Sequence, residues 1–114
     1  MQQLLRHKVF FLKNKADNEN NIDNWQPVFT SFVAIDHLAG GQIKLAENLN
    51  FSHLISENYF CFTMRYLQAV NQNLRIEFND RIFSIKRIIN EKERNQILKL
   101  ICLELGSKGE IHVV

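Results

Sequence analysis

Leu74-Arg75-Ile76-Glu77-Phe78-Asn79-Asp80-Arg81-Ile82-Phe83-Ser84-Ile85 has the pattern of a β-hairpin. Leu74, Ile76 and Phe78 alternate with Arg75 and Glu77, the period of two that a strand shows when one face looks inward. Asn79-Asp80 predicts a tight two-residue turn, although glycine is the more usual second residue there. The chain then resumes as a strand from Arg81 to Ile89. A charged segment, Asn90 to Asn95, turns it again into a further strand, Gln96 to Leu105.

Working back toward the N-terminus, Tyr59 to Leu67 keeps the same period. Phe60, Phe62, Met64 and Tyr66 face one way, and Cys61, Thr63 and Arg65 the other. Leu5 to Leu12 reads as the opening strand, rich in β-branched and aromatic residues toward its end. The Asn-rich run Asn14 to Asn24 reads as a long hairpin loop, because Asn and Asp tolerate turn geometry and bond their own backbone. Trp25 to Leu38 is the second strand, with Pro27 expected at its start or edge, where a missing N–H costs least. Gly40-Gly41 ends it. From Gln42 to Asn50 the spacing of Leu45 and Leu49, with Ile43 and Ala46 alongside, predicts a short amphipathic helix. Phe51 to Asn58 is an irregular link. Gly106 to Val114 reads as a loose tail, in which Ile111, Val113 and Val114 offer material for a final edge strand.

The expected fold is therefore all-β: a small antiparallel barrel or sandwich of six or seven strands with one short α-helix. With 114 residues, 46% of them hydrophobic, the chain suits a single domain spanning 1–114 around one core. The strands at 28–38, 82–89 and 97–105 carry large apolar residues on both faces. A barrel has one interior, so the second face calls for another cover, from the helix or from neighbouring subunits. That pattern points to an oligomer.

Composition excludes several classes of function. A net charge of +2 is too mild to argue for duplex binding by itself. Cys61 and Cys102 lie in apolar runs and read as buried thiols. The N-terminus lacks the apolar core and cleavage site of a signal peptide, and no run approaches the roughly 18 to 20 apolar residues that span a bilayer. A soluble protein made in a cytoplasm, without membrane partners, is expected.

No catalytic or metal signature emerges. His7, His37, His53 and His112 stand apart, without a second ligand at metal spacing. No phosphate-loop Lys-Ser/Thr follows Gly40-Gly41. Asp36, Glu47, Glu57 and Glu77 do not cluster in sequence, and Ser52-His53 point opposite ways on an extended chain. The expectation is no enzyme, no cofactor and no metal. Aromatics beside basic residues (Arg65-Tyr66, Arg81 with Phe83, Lys86-Arg87) leave one alternative, an oligonucleotide-binding barrel. Most of those aromatics occupy inward positions, however, which suits packing better than base stacking.

The ordered features resemble those of phage head–tail joining proteins, also called head-closure, stopper or adaptor proteins. Leu5-Arg6-His7-Lys8-Val9 resembles their opening strand, followed by a polar loop and then Trp25 with Val28. Ala34, Ile35, Leu38 and Gly40 resemble an Ala-x-(Ile/Val)-x-x-Leu-x-Gly pattern with one extra residue before the glycine. Phe62-Thr63-Met64-Arg65-Tyr66 resembles an Ile-x-Ile-Arg-Tyr strand. Leu74-Arg75-Ile76 and Asp80-Arg81-Ile82-Phe83-Ser84-Ile85 look like the hairpin after it. Leu98 to Glu104 looks like a closing strand ending Leu-x-Cys-x-Glu. Together these cover residues 4 to about 105. Departures are Asp80 where the family often has Gly, the lack of glycines in 14–24, and a tail after 106 without counterpart.

The resemblance implies a structural connector at the neck of a phage or prophage virion, assembled in the host cytoplasm. It would be a dodecameric ring between portal or adaptor protein and tail-completion protein, closing the exit of the packaged duplex DNA. Another neck or tail-completion ring component shares the same small β-rich plan. Arg6, His7, Trp25, Gly40, Arg65, Tyr66 and Arg81 are the positions that match the family pattern, and framework roles are expected for them.

Overall fold

The computed structural model describes residues 5–15, 24–38 and 59–107. These form six strands: β1 (His7–Asn14), β2 (Trp25–His37), β3 (Tyr59–Arg65), β4 (Arg75–Phe78), β5 (Arg81–Asn90) and β6 (Ile97–Ser107). All pairings are antiparallel, and the order β1-β2-β3-β6-β5-β4 closes on itself where β4 pairs with β1. Closure settles the choice between barrel and sandwich, and it protects sheet edges that would otherwise recruit other strands. The helix expected at 42–50 lies outside the described residues, as do Gly40 and most of the expected loop at 14–24.

The barrel interior follows the alternation that the sequence shows. Val9 and Phe11 of β1, Val33 of β2, Phe62 and Met64 of β3, Ile76 of β4, Phe83 and Ile85 of β5, and Leu98, Leu100 and Cys102 of β6 form one buried cluster. Phe29, Ile35, Phe60, Phe78 and Ile88 pack against it. Phe62 and Phe83 meet edge to face at 4.8 Å, a geometry that aligns the positive rim of one ring with the negative face of the other.

Strict alternation fails at three bulges, and each re-aims the chain. On β5, Ile85 opposes Cys102 and Arg87 opposes Ile101, so Lys86 is an extra residue. It shifts the phase so that Ile88, not Arg87, turns inward. The Gln72 side-chain amide donates to the Lys86 carbonyl at 2.9 Å and so satisfies a group released by the bulge. On β6, Leu105 is the extra residue opposite Ile82 and Phe83, and it emerges 36% exposed. On β2, Val28 is extra between Pro27 and Phe29, which places the proline beside an irregularity where its missing N–H is tolerated.

Asn79 and Asp80 have φ of 51° and 63°, the left-handed pair that a two-residue hairpin of this hand requires. Asp80 occupies it at a steric cost that glycine avoids. Asp80→Gly is therefore expected to raise stability by about 0.5 kcal/mol, since glycine's unfolded-state entropy offsets part of the relief. A urea titration with an unchanged slope and a higher midpoint is the expected result.

One link does not join neighbours. Residues 66–74 carry the chain from β3 to β4, yet β3 pairs with β2 and β6 while β4 pairs with β1 and β5. Tyr66 and Val70 pack against the core on the way.

The second apolar face is smaller than the sequence suggests. Ile101, Leu38 and Tyr59 are buried on the outer side of the wall, with Cys61, Ile89 and Leu103 packed against them. Ile82, on the same side as Glu77, is fully buried too. Much of the greasy surface of β5 and β6 is thus covered within a single chain. Among the described residues, the large apolar side chains that stay more than one-third exposed are Phe10, Val28, Phe32, Leu67 and Leu105, and three of these five lie on β1 and β2.

Candidate functional site

The barrel presents two ends and an outer wall. At one end the last inward-looking position of each strand forms a rim: His7 on β1, His37 on β2, Phe60 on β3, Phe78 on β4, Arg81 on β5 and Glu104 on β6. Register brings them level, with His37 opposite Phe60, Phe78 opposite Arg81, and Phe83 opposite Glu104. Arg81 donates from Nε and Nη2 to the two carboxylate oxygens of Glu104, both at 3.0 Å. Its guanidinium lies 5.1 Å from the ring centres of Phe60 and Phe83. His7 meets Phe78 edge to face at 5.3 Å, and His37 tilts against Phe60 at 5.0 Å.

Chemically this rim is a seal. The Arg81 fork is spent on Glu104, and its flat faces cover rings that would otherwise meet water. Both side chains keep partial solvent access, so screening limits what the pair adds to stability. Among the described residues no group of His, Cys, Asp and Glu is arranged to hold a metal ion.

At the opposite end the β1–β2 hairpin narrows. Asn14 accepts the Asn24 backbone N–H through Oδ1 at 3.0 Å, and Lys15 N–H donates to the Asn24 carbonyl at 2.7 Å. Trp25 lies under the Arg75 guanidinium, 4.2 Å from it. Arg65 is exposed where β3 stops, and Tyr66 is half-buried against the core.

The residues singled out from sequence are thus divided between two places. His7 and Arg81 share the rim, and Arg6 is exposed just before it. Trp25, Arg65 and Tyr66 belong to the other end, and Gly40 lies outside the described residues. Sequence reasoning passed over His37, Phe60 and Glu104 as rim members. Glu104 ends the Leu-x-Cys-x-Glu pattern, but its pairing with Arg81 depends on the bulged β5–β6 register, which the pattern does not show.

The outer wall of β1 and β2 carries Phe10, Val28 and Phe32, with Phe32 54% exposed, and the Lys8 ammonium 5.9 Å from the Phe10 ring. Register places Lys8 opposite Phe32 and Phe10 opposite Thr30, so these groups form one patch on one face. A patch of this kind is the usual mark of a surface meant for another macromolecule.

The two cysteines are free, Cys102 facing the core and Cys61 the outer wall. Burial pushes the Cys102 thiol well above its ordinary value, with the neighbouring Cys61 adding to the effect. Burial also raises Cys61, opposed by a hydrogen bond with Thr63 and by Lys99. A raised thiol stays protonated in the fold while the unfolded chain releases its proton, so stability falls as pH climbs past the ordinary thiol range. Unfolding midpoints should therefore drop above about pH 9, and Cys102→Ala should flatten that slope. A slope unchanged in the variant would contradict the assignment.

The profile of the phage head completion protein family matches residues 3–105. No curated protein matches the chain. Among solved structures, protein SF1141 from Shigella flexneri 2a is similar at a TM-score of 0.65 and 16% identity, covering 89% of this chain and 93% of that one. A chain of the virion of a native gene transfer agent particle is similar at a TM-score of 0.58 and 13% identity, covering 93% of this chain and all of that one. Those identities speak to fold alone. The profile match spans the whole barrel, from before β1 to near the end of β6, and by it the chain belongs to the phage head completion proteins.

Proposed function

We propose that this virion protein works as a ring that joins the DNA-filled head to the tail. Membership of the head completion family gives it a structural role in the particle. In the finer reading, twelve copies stack beneath the portal or its adaptor, close the channel through which duplex DNA leaves, and offer a docking surface to the tail-completion protein. Contact with DNA is non-specific, along the phosphates. The observation that carries this reading is the family match over residues 3–105, set beside a fold shared with a gene transfer agent virion chain. The exposed Phe10, Val28 and Phe32 supply the apolar contact surface that a ring subunit needs. Arg6, His7, Trp25, Arg65, Tyr66 and Arg81 act as framework in this reading, holding the two barrel ends. The whole chain, 1–114, acts as one unit.

Imaging of purified particles by single-particle reconstruction tests the proposal. A ring of this barrel between head and tail supports it, and a neck without such a ring rejects it.

The oligonucleotide-binding alternative has less support. Phe83 is fully buried and Tyr66 packs on the core, so neither offers a free stacking face. Tight, steeply salt-dependent single-strand binding by the monomer would revive it.

A further inference from the structure

A net charge of +2 hides an uneven distribution. The end of the barrel opposite the rim, where β1 and β3 stop and β5 turns into β6, carries exposed Lys13, Lys15, Lys86, Lys92 and Arg94. Register brings Lys86 to this end. Leu12 pairs with Arg75 and Arg75 with Ser84, so two residues further along each strand Lys86 stands level with Asn14. None of the five takes part in an ion pair among the described residues. Lys99, nearby on β6, is already matched to Glu91 at 3.8 Å. With Arg65, Arg75 and Arg87, these cations outnumber the other carboxylates of this end: Glu93, and the Asp17, Glu19 and Asp23 of the segment that joins β1 to β2. The rim end has the opposite balance, with Asp36, Glu77, Asp80 and Glu104 set against Arg6, Lys8 and Arg81.

The turn between β5 and β6 holds its charges in fixed positions. Lys92, Glu93 and Asn95 have φ of 56°, 52° and 56°, the left-handed region that costs a residue with a Cβ. Asn90 and Asn95 brace it. The Asn90 side-chain amide donates to Asn95 Oδ1 at 2.7 Å, and the Asn95 backbone N–H donates to Asn90 Oδ1 at 3.1 Å. Every side chain from Glu91 to Gln96 is exposed, so this bracing serves the surface and not the core. Charges held on a stiff turn lose less freedom when they meet a partner.

We infer that this end of the barrel binds the phosphates of duplex DNA, without reading its sequence. The inference deepens the connector reading above and rests on it for the presence of DNA. Unpaired cations contributed by several strands can neutralise several phosphates at once, and each releases condensed counterions. Four of the five exposed cations are lysines, which protein–protein interfaces tend to avoid and phosphates accept as point charges. An acidic protein surface is therefore the poorer match. Single strands fit less well for another reason. Trp25 lies under the Arg75 guanidinium and Tyr66 packs on the core, so the aromatics of this end are already engaged and a splayed base gains little stacking.

Lysine acetylation of the purified full chain, mapped by mass spectrometry with and without a blunt synthetic duplex in about 50 mM salt, tests this. Lys13, Lys15, Lys86 and Lys92 should each lose reactivity about fivefold or more on DNA, while Lys8, exposed in the rim half, should keep its own. Equal protection of Lys8, or no protection anywhere, overturns the inference. A single strand of the same length and polyglutamate at equal charge separate the partners. Both should protect less than the duplex. Equal or stronger protection by the single strand would point to oligonucleotide binding, and by polyglutamate to an acidic protein; either overturns the inference. As a second measurement, Lys13→Gln, Lys86→Gln and Arg94→Gln combined should weaken duplex binding about tenfold or more. The same variant should lower the slope of log affinity against log salt by about three. Unchanged affinity overturns the inference. None of these failures touches the joining role, which imaging of the virion neck decides separately.

Discussion

Replacing Phe83 with alanine is expected to cost about 4 kcal/mol, enough to leave a domain of ordinary stability largely unfolded at 37 °C. Phe83 is fully buried and ties β5 to β3 beneath the rim. Its ring meets Phe62 at 4.8 Å and Phe60 at 5.5 Å, both edge to face, and it supports the Arg81 guanidinium from below. Truncation removes the transfer energy of the ring and leaves a cavity beneath the rim, where the closed barrel cannot readily collapse. It also strips Arg81 of one of its two aromatic faces. Urea unfolding of Phe83→Ala and Phe83→Leu separates these effects, because leucine refills most of the volume without the ring. The leucine variant should lose about half as much. Equal losses would show that ring geometry, not volume, dominates.

The second large effect is expected on assembly rather than on folding. Phe10→Asp combined with Phe32→Asp should leave the isolated barrel folded, since both side chains are already more than one-third exposed. Carboxylates there would be desolvated against any neighbour that covers the patch. Losing two apolar anchors and burying charge should lower assembly at each interface on the order of a hundredfold. Infectious titre measured by complementation, beside circular dichroism of the purified variant, reads both quantities. Normal titre with normal folding would remove this face from the list of contact surfaces. Lost folding would show that the patch supports the monomer.

Local features of the fold were legible because they depend on neighbours in sequence. The alternation at 74–78, the positive-φ pair Asn79-Asp80 and the inward set Phe60, Phe62 and Met64 all rest on the two-residue period of a strand, which side chains report directly. Strand ends shifted by a residue or two, since β1 starts at His7 and β6 runs on to Ser107. Pairing was not legible. Nothing local says that β3 skips β4 to lie beside β6, because that choice is made by barrel closure. Bulges were also hidden: the extra Lys86 re-aims β5, so Arg87 and Ile88 exchange the faces that plain alternation assigns them.

The candidate site was partly legible for the same reason. His7 and Arg81 stood out by family pattern, but their common rim, and the role of Glu104 as partner to Arg81, exist only once six strands are in register. Apolar residues on both faces of β2, β5 and β6 pointed to surface in need of cover. In the fold, Ile82 and Ile101 are sheltered within the chain, whereas Val28 and Phe32 of β2, with Phe10 of β1, stay exposed. Composition counts greasy residues; it does not say which of them the chain itself covers.

Removing the gene from a producing phage and examining the lysate by electron microscopy tests the connector role most directly. Full-size heads, free tails and few joined particles are expected, with packaged DNA lost on standing and joining restored when the protein is supplied in trans. Joined, DNA-retaining, infectious particles at normal yield in its absence would contradict the role proposed here.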